Sequence, residues 1–258
     1  MKICTWNVNS LKARLDYALA FLDEVQPDVL GLQELKLETA DLYREAFEGR
    51  GYHLAVHGQK QWNGVLIASK TPLEDVHCGL PEGDEGQARL VAATVDGVRF
   101  INLYCPQGQA VDSPKFEYKL AFFDALCRFL AEEYNPAEAL VLMGDINIAP
   151  GPDDVYDVEK MTGVPTYHPL EHQRWERLLN WGLSDVVKPH LEPNTYSFFD
   201  YRGMAFRFNQ GFRIDHILAT EALIPRVKSA WVDRPWRKKR GDLKPSDHVP
   251  VLAELSDV

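Results

Sequence analysis

The sequence predicts an α/β fold in which two mixed β-sheets pack face to face with helices on the outside. Three observations carry this prediction. Strand-like segments outnumber helical ones. The helices come singly between groups of strands. The chain also carries both a strand-helix-strand opening, which implies parallel pairing, and a tight two-residue turn, which implies antiparallel pairing.

Taken in order, Lys2 to Trp6 has strand composition, and Ser10 is placed to cap a helix whose apolar residues Leu11, Leu15, Leu19, Leu22 and Val25 fall at spacings of four and three. Pro27 ends that helix, and "DVLGLQELK" follows as a second strand. In "WNGVLIASK" an Asn63-Gly64 turn leads into an apolar strand, and "LVAATVDGVRFINLYC" is a hairpin around Asp96-Gly97, a dipeptide that tolerates positive φ. Ser113-Pro114 opens a helix through about Tyr134 with Phe116, Leu120, Phe123, Leu126, Cys127 and Leu130 on one face. "ALVLMGDIN" is the next strand. Residues 150 to 175, rich in Pro, Gly and Asp, form a long surface excursion. A helix over 171 to 181 and strands around "TYSFFDY", "FRIDHILAT", "VKSAWVD" and "VPVLAEL" complete the pass.

With 258 residues and 45% apolar side chains, the chain is expected to form a single domain over 1–258. No stretch reaches the roughly 18 apolar residues of a membrane span, and no leader pattern opens the sequence, so a soluble, cytoplasmic protein is expected. Cys4, Cys78, Cys105 and Cys127 lack any paired spacing and are expected to be reduced, buried thiols. Nothing demands more than a monomer. The net charge of -10 argues against a polyanionic partner until its distribution is considered: residues 202 to 244 hold 11 Lys and Arg against 4 Asp and Glu, leaving that stretch at +7 and the remainder at -17. Acids gathered in one place and bases in another suit a metal site beside a phosphate track.

Polar residues recur at the ends of strand-like runs: Asn7 and Asn9 in "TWNVN", Glu34 in "LQELK", Tyr104 in "NLYCPQG", Asp145 and Asn147 in "GDIN", Asp215 in "FRIDHI", Asp247 and His248 in "PSDHVP". Each alone has an ordinary structural explanation as a turn former, a cap or a solvated charge. Together they form an oxygen-rich set with one imidazole, the ligand chemistry of a hard cation such as Mg²⁺, with Mn²⁺ as a substitute. Such ions assist phosphoryl transfer. Asp145 and Asn147, two apart in an extended chain, face the same way and suit a base with its orienter. Glu34 with Asn7 suits the metal, and Asp215 with His248 suits a carboxylate-imidazole couple facing a phosphate.

"TWNVNS", "QELK", "YCPQG", "GDINIAP", "DYRG…NQGFRIDHIL" and "KPSDHVPV" resemble, in order and spacing across nearly the whole chain, the exonuclease III group of the metal-dependent endonuclease/exonuclease/phosphatase superfamily. The resemblance implies a four-layered α/β sandwich. It also implies Mg²⁺-dependent cleavage of phosphodiesters in duplex DNA, through 3′-to-5′ exonuclease, 3′-phosphatase and abasic-site endonuclease activities. It makes Glu34 the main metal ligand with Asn7 nearby and Asp247 a further candidate. Asp145 and Asn147 form the water-activating pair, Tyr104 faces the leaving oxygen or phosphate, and Asp215 with His248 stabilises the phosphate. Asp145, Asn147 and His248 also stand among the metal candidates, and both Asp145 and His248 stand as candidate bases.

Asn9, Arg89, Gln107, Arg202, Arg207, Asn209, Arg213, Trp236, Arg237 and Lys238 are the candidates for contact with DNA that carries 3′ ends or abasic sites, the arginines and the basic run for positioning its phosphates. Aromatic wedges are expected beside the basic run "WRKKR", with Phe198, Phe206 and Phe212 near it in sequence. One departure concerns "PTYHPLEHQRW", where bulky Tyr167 and His168 stand in the run in which many relatives carry a small residue, then an aromatic and a Thr/Pro turn, before the following helix. Either ring packs on its own loop or narrows the space for an extruded abasic sugar. The competing readings are a phosphoesterase of the same fold acting on inositol phosphates or lipid headgroups, and a nucleic-acid-binding protein that has lost catalysis. The basic 202 to 244 stretch argues against the first, and the unsubstituted ligand and base positions argue against the second.

Overall fold

The computed structural model describes residues 1–39 and 41–256. β1 (Lys2–Asn7), α1 (Leu11–Val25) and β2 (Val29–Gln33) form the opening unit, with β1 and β2 parallel. Ser10 caps α1 by accepting a hydrogen bond from the Ala13 amide, and Gln26 ends it in a left-handed conformation directly before Pro27. There follow α2 (Asp41–Glu48), β3 (His53–His57), β4 (Val65–Ser69), β5 (Glu74–Cys78), β6 (Leu90–Val95) and β7 (Val98–Tyr104). Asp96 and Gly97, which join β6 to β7, both have positive φ (49° and 74°), as a two-residue hairpin requires. Then come α3 (Pro114–Glu133), β8 (Leu140–Asp145), the one-turn α4 (Val158–Met161), α5 (Pro169–Trp181), β9 (Leu183–Asp185), β10 (Asp215–Thr220), β11 (Val227–Val232) and β12 (Val251–Leu255).

These strands make two six-stranded sheets, ordered β11-β12-β1-β2-β4-β3 and β5-β6-β7-β8-β10-β9. Each is antiparallel except for one parallel pair, β1 with β2 in the first and β7 with β8 in the second. A helix makes each crossover, α1 and α3 respectively. Alternate residues of each strand face opposite ways. Ile3, Val29, Ile67, Val91, Phe100, Met143, Ile217 and Val251 fill the space between the sheets. Their neighbours Cys4, Trp6, Leu30 and Leu32 pack outward against Tyr17, Phe21 and Leu22 of α1. On the other side Leu90, Leu103 and Leu142 meet Phe122, Phe123 and Leu126 of α3 and Trp175 of α5. Full burial of each such side chain contributes about 1.5–3 kcal/mol, and the result is helix, sheet, sheet, helix: a four-layered α/β sandwich.

Three expectations need correction. "TYSFFDY" forms no strand; Phe198 makes isolated bridges to Phe212 and His248, because its backbone is shared between two neighbouring loops instead of running along one partner. The strand in "FRIDHILAT" starts only at Asp215. Of the cysteines, Cys4 and Cys105 are buried and Cys127 is partly so, but Cys78 lies exposed on β5, a sheet-edge strand whose residues mostly face solvent. No helix among the described residues is long and apolar enough to cross a membrane.

Candidate active site

The C-terminal ends of β1, β2, β7 and β8 lie at the same edge of the sandwich as the start of β10. There register alone makes Asp145 the lateral neighbour of Tyr104 on one side and Asp215 on the other. Gly144 makes this arrangement possible. Its φ is 146°, and a Cβ there would lie 2.0 Å from the Leu103 carbonyl oxygen, so only glycine lets β8 approach β7 directly before Asp145.

The site straddles the seam between the sheets. Asn7, Glu34 and His248 come from the first sheet and its adjoining loops; Tyr104, Asp145 and Asp215 come from the second. Asn7 Nδ2 spans the seam, donating to Glu34 Oε1 at 2.8 Å and to Asp145 Oδ2 at 2.9 Å. His248 Nδ1 lies 2.8 Å from Asp215 Oδ2, which leaves Nε2 facing Asp145 Oδ2 at 3.7 Å. The His248 backbone is held by Trp6 Nε1, which donates to its carbonyl at 3.1 Å, and by Ser246 Oγ, which accepts from its amide at 3.2 Å. Asn147 has φ 55°; its amide N–H donates to Asp145 Oδ1 at 3.1 Å and its side chain to the Cys105 carbonyl at 2.9 Å. Asn7, Asp145, Asn147, Asp215 and His248 are all at most 4% exposed, whereas Glu34 and Tyr104 reach solvent.

Burial raises the Asp145 carboxyl, His248 pulls it back, and the nearby carboxylates Asp215 and Glu34 push it up again, so that it titrates well above the carboxylate range. Burial alone would lower the His248 imidazole, but Asp215 and Asp145 outweigh it and raise the ring well above its ordinary value. Glu34 is held low: Lys36 and the Asn7 amide overcome its burial. Burial and the adjoining Glu34 and Asp145 lift the Tyr104 phenol. Glu34, Asp145 and His248 each offer a donor atom within 4.8 Å of the others. Three carboxylates beside one imidazole leave an excess of negative charge and hard oxygen donors, which fits a divalent cation of the Mg²⁺ type.

The remaining ligand candidates stand differently. Asn7 Oδ1 accepts from the Asn9 amide at 2.9 Å, so Asn7 braces the two carboxylates through its nitrogen. Asp247 lies outside the Glu34, Asp145, His248 group and accepts from Asn9 Nδ2 at 3.1 Å. Asn9 also accepts from Lys36 Nζ at 2.6 Å.

Among the expected DNA contacts, Gln107, Arg202, Arg207 and Lys238 are exposed, and Asn209 and Arg237 partly so. Arg89 lies across the Tyr104 ring and donates to the Tyr104 carbonyl at 3.0 Å. Two candidates fall away. Arg213 is 2% exposed and enclosed by Asp154 and Asp185, and Trp236 is 1% exposed, its ring packed on Tyr17 and Phe21. Phe198 packs on His248, and Phe212 packs beside Tyr167 and Phe198. The exposed large apolar residues of this region are instead Tyr201, Met204 and Phe208. Beneath them, Arg234 and Arg237 lie over the Phe199, Phe206 and Tyr201 rings. Tyr201 sits within "DYRG", a block that carried the resemblance without singling out this ring, and Met204 and Phe208 lay in no quoted block.

A model of the endonuclease/exonuclease/phosphatase family matches residues 4–248. Exodeoxyribonuclease III of Haemophilus influenzae is 34% identical over 270 residues, covering 99% of this chain and 100% of that protein. The structure resembles the 3′-5′ exonuclease NExo of Neisseria meningitidis with a TM-score of 0.95 at 45% identity over 100% of both chains; NExo has also been seen, as a 3′ phosphatase, bound to a product DNA hairpin. An AP endonuclease from Archaeoglobus fulgidus matches with a TM-score of 0.93 at 35% identity, again over 100% of both chains. The chain belongs to the endonuclease/exonuclease/phosphatase family, within its exodeoxyribonuclease III group.

Proposed function

We propose that the protein is a cytoplasmic, monomeric DNA repair nuclease that hydrolyses phosphodiesters at 3′ ends of duplex DNA with Mg²⁺, Mn²⁺ serving as a substitute. One observation carries the reading: the Asn7 amide ties Glu34 to Asp145 across the sheet seam, with His248 Nε2 directed at the same carboxylate. Glu34, with Asn7 beside it, would hold the ion, and Asp247 lies one residue further out through Asn9. A divalent ion held there would supply positive charge against the negative charge that builds on the phosphate. Asp145 takes the proton of the attacking water, and Asn147 keeps that carboxylate and the water aligned. His248 is paired through Nδ1 with Asp215, so its Nε2 is assigned as a donor to the phosphate and not as the base. The Tyr104 phenol faces the leaving oxygen as a neutral donor.

Tyr167 and His168 bear on the choice of substrate. His168 caps α5, its Nδ1 accepting from the Leu170 amide at 3.1 Å, and its ring packs on Phe116. Tyr167 joins the apolar cluster of Val155, Ile214, Phe198 and Phe212, and Phe198 lies 4.9 Å from the His248 ring. Tyr167 also packs on His172 of α5, ring centroids 4.8 Å apart, and reaches the His248 side of the site only through Phe198; on this reading the cluster favours terminal 3′ processing over incision at internal abasic sites. Rates on a duplex with a recessed 3′ end test the whole reading: cleavage with Mg²⁺, abolished by chelator and by Asp145→Asn, is expected. Absence of cleavage, or cleavage that survives either treatment, refutes it.

A further inference from the structure

Lys119 of α3 and Glu171 of α5 are both fully buried and form an ion pair beneath the site rim. The active-site chemistry proposed above uses neither. Burying two charges costs more than their attraction usually returns, so replacing such a pair by apolar residues is often neutral or stabilising, and stability is a weak reason for its presence. The hydrogen bonds of the pair suggest another reason. Lys119 Nζ donates to the Asn147 carbonyl at 2.7 Å and to the Gln107 carbonyl at 3.3 Å. Glu171 accepts from the Thr166 amide through Oε1 and from the His168 amide through Oε2, each at 3.1 Å. The two chain segments are also bonded directly, the Ala149 amide donating to the Thr166 carbonyl at 2.8 Å. One ion pair thus links the strained left-handed turn at Asn147, the loop after Tyr104 and the turn bearing Tyr167.

We infer that Lys119 and Glu171 are positioning residues: the pair fixes the Asn147 turn, and through it the Asp145 carboxylate that the Asn147 amide holds, against the Thr166–His168 turn bordering the substrate. The inference rests on the proposed nuclease reading. Neither side chain touches the reacting atoms, and the long lysine stem with its multiple donors satisfies two backbone carbonyls at once.

The experiment compares wild type, Lys119→Met, Lys119→Arg and the uncharged Lys119→Met/Glu171→Gln pair on a duplex with a recessed 3′ end, with urea unfolding as the control for folding. Lys119→Met should lower kcat at least tenfold while KM changes less than twofold, and Lys119→Arg should recover part of the loss. The uncharged pair guards against misfolding of the single variant: with an unfolding midpoint near wild type, it should remain slow. Wild-type kcat in that folded double variant, or a loss carried by KM alone, overturns the inference. Inactive wild-type protein would count against the nuclease reading instead. Hydrogen exchange over 145–149 and 164–170 then decides, with faster exchange in Lys119→Met expected and unchanged exchange overturning the positioning role.

Discussion

Replacing Arg213 with methionine separates a structural role from a DNA-binding one. In the protein the guanidinium donates from Nε to Asp154 Oδ1 at 2.7 Å and from Nη1 to Asp185 Oδ2 at 2.6 Å. Nη1 also approaches His216 Nδ1 at 3.0 Å, and the Nε2 of that ring lies 2.8 Å from the Ile148 carbonyl. Methionine keeps the stem but strands two carboxylates. Removing one partner of a buried pair costs about 3–5 kcal/mol. Because Lys188 still reaches Asp154 at 2.8 Å, the lower end applies. With a urea dependence of about 3 kcal/mol per molar, the midpoint should fall by about 1 M at pH 7.

The pH dependence follows from the carboxyls. Burial raises Asp185 and Asp154, but Arg213 outweighs it at both, helped by His216 at the first and Lys188 at the second, and holds them low. In wild type their contribution is therefore present above the unfolded value of about 3.9 and lost only as pH falls through the depressed folded values. In the variant the stranded carboxyls rise, and their penalty is relieved as they take up protons. The difference between the two proteins should narrow from pH 7 to pH 4. Urea unfolding at both pH values, together with the salt dependence of DNA binding, is the assay. An unchanged midpoint at pH 7 with weakened DNA binding would refute the buried role.

Three further outcomes are expected. Asn7→Ala removes two hydrogen bonds to carboxylates, each worth about 1.5–3 kcal/mol, so it should lower the unfolding midpoint and, in protein that stays folded, lower kcat roughly tenfold to a hundredfold; wild-type kcat would show that the bridge across the seam is dispensable. Arg207→Ala should weaken duplex binding without sequence preference and reduce the slope of log affinity against log salt by about 1, measured by titration from low to moderate salt. Tyr167→Gly should raise incision at an internal abasic analogue relative to removal of a terminal nucleotide, and an unchanged ratio would exclude Tyr167 as the selective element.

How far the sequence foretold this arrangement depends on how local each signal was. Parallel pairing of β1 and β2 followed from a short apolar run, a capped helix and a second run, all set by neighbouring residues. Glu34, Asp145, Asp215 and His248 stood out because each acid or imidazole follows or adjoins a buried strand. Edge strands β3, β5 and β9 escaped, since a strand with one open side needs neither full alternation nor an apolar run. Arg213 misled for a different reason. Its counterions lie 59 and 28 residues away, and no local pattern distinguishes an arginine facing phosphate from one enclosed by distant aspartates. Trp236 failed likewise, its packing partners Tyr17 and Phe21 belonging to the first helix.

Because the two carboxylates joined by Asn7 belong to different sheets, the thickness of the aliphatic filling between those sheets acts as a ruler for the reaction centre. A methyl group on Gly31, for example, would lie 2.8 Å from both Asn102 Oδ1 and the Met143 terminal carbon, wedging the layers apart well below the rim. Evolution can therefore tune turnover in this protein from positions that no nucleotide approaches, and variation in its greasy interior should leave a kinetic trace as well as a thermal one.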